Sequence, residues 1–142
     1  MDTIHIVTPP RPILPLLAKT KAAYLLWYSV FQTISKTHRY SLGRRIDDLF
    51  IETIEMLATA AFLPREEKIP FVRAAIRKTD TIKILLSILW ETKALDNKKY
   101  IALSVPLEEI GRMMGGWYGQ LAKSVSSRVE KQNSSGQRLE EK

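Results

Sequence analysis

The chain has 142 residues, which is the length of one domain. It has no cysteine and two histidines, which excludes disulfide frameworks and thiolate metal sites and argues against histidine-based catalysis. Lys and Arg total 22 against 15 Asp and Glu, and the net charge of +7 favours a polyanionic partner. The alternative is a soluble protein whose surface is merely basic. The longest uncharged run, residues 22–35, is too short for a membrane span, and no signal peptide is evident, so we expect a cytoplasmic protein.

Residues 1–15 are predicted to form a proline-rich leader. Pro9, Pro10, Pro12 and Pro15 fix φ and donate no amide hydrogen, so this stretch is expected to be extended. The PxxP spacing is also typical of recognition ligands. Entry into the first helix is the favoured interpretation.

The first two helices are predicted from the 3.6-residue period of apolar side chains. The first spans residues 16–36, with Leu17, Tyr24, Trp27, Phe31 and Ile34 on its inward stripe. The second spans residues 41–63, with Ser41 in the position of an N-cap. Its predicted inward residues are Ile46, Leu49, Phe50, Thr53, Leu57 and Ala60.

The third and fourth helices follow the same period. The third opens after Pro64, which has no amide donor to lose there, and ends near Ala94. Its predicted inward residues are Val72, Ile76, Thr79, Ile82, Leu86, Leu89 and Trp90. The fourth follows Asp96, a good N-cap, and its apolar residues alternate three and four apart as far as Leu121. Pro106 lies inside this pattern and is expected to kink or break the helix.

The fold class follows from these segments. No segment alternates with period two, and short connections between long helices imply antiparallel neighbours. Residues 16–123 are therefore predicted to form an all-α, up-down-up-down four-helix bundle. Residues 124–142 are polar and are expected to pass from frayed helix into a disordered tail.

Glycines form the first unusual feature. Gly111, Gly115 and Gly119 recur every four residues, which predicts a bare helix stripe that another helix or subunit approaches closely. The alternative is that the helix ends there, with Gly115 and Gly116 as its C-cap. Trp117 beside them is interpreted as a core or interface anchor.

A cluster of cations at residues 36–45 is the second unusual feature. No acidic residue accompanies Lys36, Arg39, Arg44 and Arg45. Cations at a helix N-terminus oppose the macrodipole, so the cluster predicts a phosphate-binding patch. The alternative is that the arginines pair with Asp47 and Asp48. His38 and Tyr40 offer rings for stacking on bases, although Tyr40 is better interpreted as a hydrophobic staple before the helix.

Antiparallel topology extends the basic surface. The loop between the third and fourth helices, with Lys93, Lys98 and Lys99, is expected at the same end as residues 36–45. A second basic region is expected at the opposite end. The cations assigned to nucleic-acid binding are Lys36, Arg39, Arg44, Arg45, Arg73, Arg77, Arg112 and Lys123.

No catalytic motif is apparent. The sequence has no Glu-x-x-His motif, Walker loop or dinucleotide fingerprint. The neighbours Asp47 and Asp48, like Glu108 and Glu109, point in different directions on a helix and do not share a proton. We therefore expect no enzyme activity, metal, cofactor or small-molecule substrate.

Two segments carry a resemblance to a known family. His38–Ile46, HRYSLGRRI, and Glu109–Trp117, EIGRMMGGW, resemble the accessory variability determinant (Avd) proteins of diversity-generating retroelements, whose relatives include the rRNA intervening-sequence proteins. The resemblance covers about residues 16–122. It implies a non-enzymatic homopentameric barrel of four-helix bundles that binds a reverse transcriptase and RNA or DNA and supports mutagenic reverse transcription.

The resemblance also implies roles for the motif residues. Arg39, Arg44, Arg45 and Arg112 are expected to contact polyanion or polymerase. Packing and assembly are expected of Tyr40, Gly43, Gly111, Gly115, Gly116 and Trp117. Two alternatives stay open: a stand-alone basic bundle that binds structured or ribosomal RNA without a polymerase, and an oligomeric adaptor whose charge confers only solubility.

Overall fold

A computed structural model describes the backbone of residues 13–140 and the side chains of residues 15–135. Its elements are α1 (Ile13–Phe31), α2 (Lys36–His38), a π-helical turn (Arg39–Gly43), α3 (Arg44–Ala61), α4 (Arg65–Glu91) and α5 (Asn97–Glu140). Four of these helices are long, and no strand occurs within residues 13–140. The predicted all-α class is confirmed. Most of the leader predicted over residues 1–15 lies outside the described residues.

The predicted N-cap of the second helix is wrong. Helical backbone already begins at Lys36 and continues through the π-helical turn into α3. Ser41 lies inside this turn, where its hydroxyl donates to the carbonyl of Thr37 at 2.9 Å. A π-helical turn accommodates an extra residue within a helix, and sequence periodicity does not reveal such a residue.

The other predicted helix boundaries agree better with the structure. Pro64 directly precedes α4, and the Asp96 carboxylate accepts a hydrogen bond from the backbone N–H of Lys99 at 2.8 Å, so the predicted N-cap of α5 is confirmed. The predicted break at Pro106 is wrong, because α5 is continuous there. Proline removes the donor to the carbonyl four residues earlier, and that residue, Ala102, is exposed, so water is available to its carbonyl.

The polar segment after Lys123 is helical as far as Glu140, which differs from the expected disordered tail. Arg65 donates to the Ser124 hydroxyl at 2.9 Å, and Arg128 forms an ion pair with Glu66. These contacts attach the extension to the start of α4. Extending a helix that already exists needs no new nucleus, which favours helix in a polar segment of this kind.

The core is a single cluster to which all four long helices contribute. Every predicted inward residue of α3 is buried, and so are those of α5 from Leu103 to Leu121. The α1 prediction is partly wrong: Leu16, Ala23 and Val30 are buried, whereas their chain neighbours Leu17, Tyr24 and Phe31 are half-buried. Because α1 is apolar on several sides, its periodicity does not identify one face.

Aromatic packing joins α1 to α3. The Trp27 indole stacks on Phe50 with ring centroids 6.2 Å apart, and its Nε1 donates to the Asp47 carboxylate at 3.2 Å. The Tyr24 ring lies 5.9 Å from that of Phe50. Burial, and then the Asp47 carboxylate, raise the pKa of Tyr24 to about 12. The phenol is therefore neutral at any physiological pH.

Contacts between α4 and α5 pair residues in opposite numerical order. Arg73 contacts Tyr118, Lys83 forms an ion pair with Glu108 at 3.4 Å, and Trp90 contacts Asn97. Residue numbers thus rise along one helix as they fall along the other. This pairing brings the end of α4 beside the start of α5.

Lys68 is buried near the start of α4, at the point where α3 ends. Its ammonium donates to the carbonyls of Ala60 at 2.6 Å and Ala61 at 3.2 Å, which are the last two residues of α3. Burial lowers the pKa of Lys68. The cation compensates for its desolvation by binding these C-terminal carbonyls, of which that of Ala60 also accepts the Leu63 N–H at 3.3 Å.

We expect Lys68→Met to reduce the free energy of unfolding by about 1–3 kcal/mol, because buried carbonyls lose their donor. Urea denaturation monitored by circular dichroism measures the change. Lys21→Met is the matched control, since Lys21 is exposed on α1. Equal stability of the two variants would contradict a structural role for Lys68.

Candidate nucleic-acid interface

One end of the molecule gathers the loop after α1, the π-helical turn and the loop before α5. The Lys99 ammonium joins these parts by donating to the Thr33 hydroxyl at 3.1 Å. We call this region the first-loop end. Its cations are Lys36, Arg39, Arg44, Arg45, Lys93, Lys98 and Lys99. The predicted proximity of Lys99 to the first loop is therefore confirmed.

Arg39 has a structural position within this region. Its Nη2 donates to the carbonyls of Gln32 at 3.1 Å and Ile34 at 3.0 Å, just beyond the end of α1. Its Nε is buried and has no hydrogen-bond partner among the described residues. A cation at this position interacts favourably with the negative end of the α1 dipole. The guanidinium therefore caps the C-terminus of α1, whereas the sequence predicted that it binds a ligand.

Arg44 and Arg45 do not pair with Asp47 or Asp48, so that alternative is wrong. Arg44 is exposed, and Arg45 approaches Glu52 only to 3.9 Å, with both side chains more than a third exposed. An ion pair of this kind contributes little to stability. Both arginines therefore remain accessible to a ligand.

Most cations of the first-loop end lack an acidic partner. No described residue forms an ion pair with Lys36, Arg44, Lys93, Lys98 or Lys99. Elsewhere several cations are paired: Lys19 with Glu109, Lys78 with Glu52, Lys83 with Glu108 and Arg128 with Glu66. The positive charge of these five residues is therefore not compensated by any ion pair with the described residues.

The remaining predicted cations lie on other parts of the molecule. Arg73 donates to the Tyr118 hydroxyl at 3.0 Å, with its guanidinium carbon 5.6 Å from the ring centroid. Arg77 is exposed on α4, and Arg112 and Lys123 are exposed on α5. The predicted set therefore does not converge on one patch.

The glycine stripe is inside a helix, so the helix-end alternative is wrong. A Cβ on Gly111 would lie 2.9 Å from the Lys83 ammonium, whereas Cβ atoms on Gly115, Gly116 and Gly119 would meet nothing within 4 Å. Of these four glycines, only Gly111 is approached closely by another described residue. An assembly contact at the other three stays a prediction.

Three residues assigned to packing differ in their surroundings. Trp117 is buried in the core with 8% of its surface exposed, whereas Tyr40 is 70% exposed and does not pack as a staple. The staple was predicted from a helix start at residue 41, and the helical backbone begins earlier. Gly43 is buried, and a Cβ there would lie 3.1 Å from the Phe31 ring and from the His38 carbonyl.

Sequence reasoning missed the exposure of Trp90 at the first-loop end. Trp90 was placed on the inward stripe of the third helix, but it is 40% exposed and stacks on Tyr100, with ring centroids 4.9 Å apart and planes 9° apart. Trp90 lies in the last turn of α4, three residues before the left-handed Lys93, and this place at a helix end is the feature from which its exposure could have been predicted.

No group of three or more His, Asp or Glu side chains positioned to hold a metal ion occurs in the part of the chain that the structure describes. Within residues 13–140, no helix has the length and apolar composition needed to cross a membrane. Comparison of the chain with protein-family models, curated proteins and solved structures gave no match. The functional argument therefore rests on the sequence motifs and on the surface.

Alanine substitutions are expected to distinguish a closely packed glycine from one that faces open space. Gly116→Ala should raise the free energy of unfolding by about 0.8–1.0 kcal/mol, because alanine favours helix and the added methyl meets nothing. Gly43→Ala should raise the free energy of unfolding by less than this or should lower it, because its methyl group crowds Phe31. Thermal denaturation of both variants makes the comparison. Equal stabilisation would contradict the packing at Gly43.

Alanine variants of Arg39 and Arg44 are expected to differ in stability, although both residues are motif cations. Arg39→Ala should lower the free energy of unfolding by about 1.5–3 kcal/mol, because it removes charged hydrogen bonds to two carbonyls. Arg44→Ala should change it by less than about 0.5 kcal/mol. Chemical denaturation provides the measurement. Similar losses would show that Arg39 has no special role at the end of α1.

Proposed function

We propose that this chain is a non-enzymatic accessory protein of a diversity-generating retroelement. In this proposal it acts in the cytoplasm, binds the retroelement's reverse transcriptase together with template RNA or cDNA, and supports mutagenic reverse transcription. The resemblance of HRYSLGRRI and EIGRMMGGW to Avd proteins suggests the family. The surface of the first-loop end carries the argument for a polyanionic partner.

The supporting observation is the uncompensated charge of the first-loop end. Lys36, Arg44, Lys93, Lys98 and Lys99 make no ion pair with the described residues, and the chain as a whole carries +7. Accessible cations that form no ion pair attract phosphates and release counterions when they bind them. This explains why so basic a surface would be useful to a protein that handles nucleic acid.

Self-assembly into a homopentamer of antiparallel bundles is the second part of the proposal. Residues 22–35 contain no charge, yet Leu25 is 64% exposed and the neighbouring Tyr28 is half exposed. Beside α1, α5 exposes Val105, also at 64%, and Pro106 lines a shared recess of about 220 Å³. The recess also contains the ion pair of Lys19 and Glu109, but the exposed side chains around it are apolar. An apolar surface of this kind suits a contact between subunits.

Assembly would increase the electrostatic effect. Five copies would carry five times the monomer charge, and a ring would place equivalent ends side by side, so their fields would add. Nucleic acid spanning several subunits would gain affinity from each contact. The numerical order of the α4–α5 contacts supports the antiparallel arrangement on which this geometry depends.

Co-purification with the reverse transcriptase encoded nearest to this chain tests the role, with mass measured by light scattering. We expect five copies of the chain for each polymerase. Leu25→Glu should dissociate the pentamer, because a buried unpaired carboxylate is costly at an interface. Thr81→Glu adds the same charge at an exposed position of α4, outside the proposed contact surfaces of α1 and α5, and should leave the mass unchanged.

Each part of the proposal fails separately. A pentamer that binds RNA but does not bind the polymerase would favour the alternative function, a stand-alone bundle that binds structured or ribosomal RNA. A monomer would overturn the assembly. Absence of RNA binding at low salt would overturn the nucleic-acid role. The logarithm of the binding constant is expected to fall linearly with the logarithm of the salt concentration, so binding is strongest at low salt.

A further inference from the structure

We propose that Trp90 is a stacking platform for one unpaired base of a single-stranded nucleic acid, and that Lys93, Lys98 and Lys99 bind the flanking phosphates. This subsite rests on the proposed nucleic-acid function and specifies what the first-loop end recognises. It differs from the cation cluster at residues 36–45, which the sequence indicated.

The Trp90 ring is held in place before any ligand arrives. One face stacks nearly parallel on Tyr100, and the indole Nε1 donates to the Asn97 side-chain carbonyl at 2.6 Å. The side chain nonetheless leaves 40% of its surface exposed. Fixing an aromatic ring in advance reduces the entropy lost when a base stacks on it.

The three lysines lie within nine residues of Trp90 in the chain. Lys93 lies in the loop after α4, and Lys98 and Lys99 lie in the first turn of α5, which also contains Tyr100. None of the three forms an ion pair with a described residue, and the Lys99 ammonium contacts only the neutral Thr33 hydroxyl.

Two acidic residues lie close by in the chain and do not neutralise the lysines. The Asp96 carboxylate accepts the backbone N–H of Lys99 at 2.8 Å as the N-cap of α5. Glu91 is exposed at the end of α4 and forms no ion pair with the described residues. The ammonium groups are therefore available to phosphates.

Lys93 follows the C-cap of α4 in a Schellman motif, in which its N–H donates to the Trp90 carbonyl at 3.0 Å and that of Ala94 donates to the Leu89 carbonyl at 2.8 Å. The φ of Lys93 is 65°, in the left-handed region that glycine adopts most readily and that commonly ends helices. A lysine at this position carries a backbone cost that glycine would avoid.

Unpaired bases are the ligand that fits this arrangement. In a duplex the base faces are already stacked, so a single exposed ring gains nothing there, whereas a splayed base of a single strand has a free face. The other two tryptophans are unsuitable, since Trp27 is fully buried and Trp117 is 8% exposed. Trp90 is also the tryptophan whose fluorescence a bound base would quench.

The test titrates the full-length protein with an oligouridylate of about 12 nucleotides and with an RNA duplex of similar length. Binding is followed by anisotropy of labelled RNA, and stacking by tryptophan fluorescence. We expect the single strand to quench the emission of the wild-type protein. Trp90→Phe, which keeps Trp27 and Trp117, should lose the quenching while still binding.

Two further variants separate stacking and charge from folding. Trp90→Leu should weaken single-strand binding about tenfold and leave duplex binding unchanged. Lys93→Gly should raise the melting temperature, because it relieves the left-handed backbone, yet weaken binding and reduce the salt slope by about 0.7. Lys21→Ala removes a cation from α1, distant in sequence from this site, and should affect single-strand binding less than Lys93→Gly.

The outcomes distinguish this subsite from the function on which it rests. Single-strand binding without quenching, or equal losses of single-strand and duplex binding in Trp90→Leu, would overturn the stacking platform and leave the proposed function standing. Unchanged affinity in Lys93→Gly would overturn the phosphate contact. No binding to either RNA at low salt would overturn the nucleic-acid role itself.

Discussion

The structure depends on the burial of one apolar surface from each of four long helices in a single core. Trp27 on α1, Phe50 on α3, Leu89 on α4 and Met114 on α5 are all almost fully enclosed. Hydrophobic burial of this kind has no preferred direction, so the aromatic packing between α1 and α3 and the three-four spacing along α5 determine which surfaces meet. Once they meet, the loops are collected at the ends of the helices.

Polar groups inside this core are satisfied locally. The hydroxyls of Thr20, Thr53 and Thr79 each donate to a carbonyl four residues earlier in the same helix, at 2.7, 2.7 and 2.9 Å. Helices can therefore pack on these threonines without a polar partner across the interface. This leaves the packing between helices almost entirely apolar.

Cations have two different uses in this molecule. Arg39 binds carbonyls beyond the end of α1, and Lys68 binds the last carbonyls of α3, so both complete helix C-termini. Lys93 and Lys98, by contrast, are exposed and without ion pairs among the described residues. Net charge alone therefore overstates how many cations are available to a polyanion. It also hides their concentration at one end.

Local sequence determined the helices and most of the core. The three-four apolar spacing of α5 and the carboxylate of Asp96 act within a few residues, and both predictions are confirmed. Helix period failed where it was ambiguous, as on the apolar α1, or where a π-helical turn changed the register before Arg44.

Only the tertiary structure decided which charged and aromatic residues remain free. Arg39 is engaged by a carbonyl seven residues away, and Gly43 is confined by the ring of Phe31 on α1. The stacking of Trp90 on Tyr100 depends on where two helices end and begin. These outcomes depend on contacts between separate segments, whereas sequence periodicity describes only the face of a single helix.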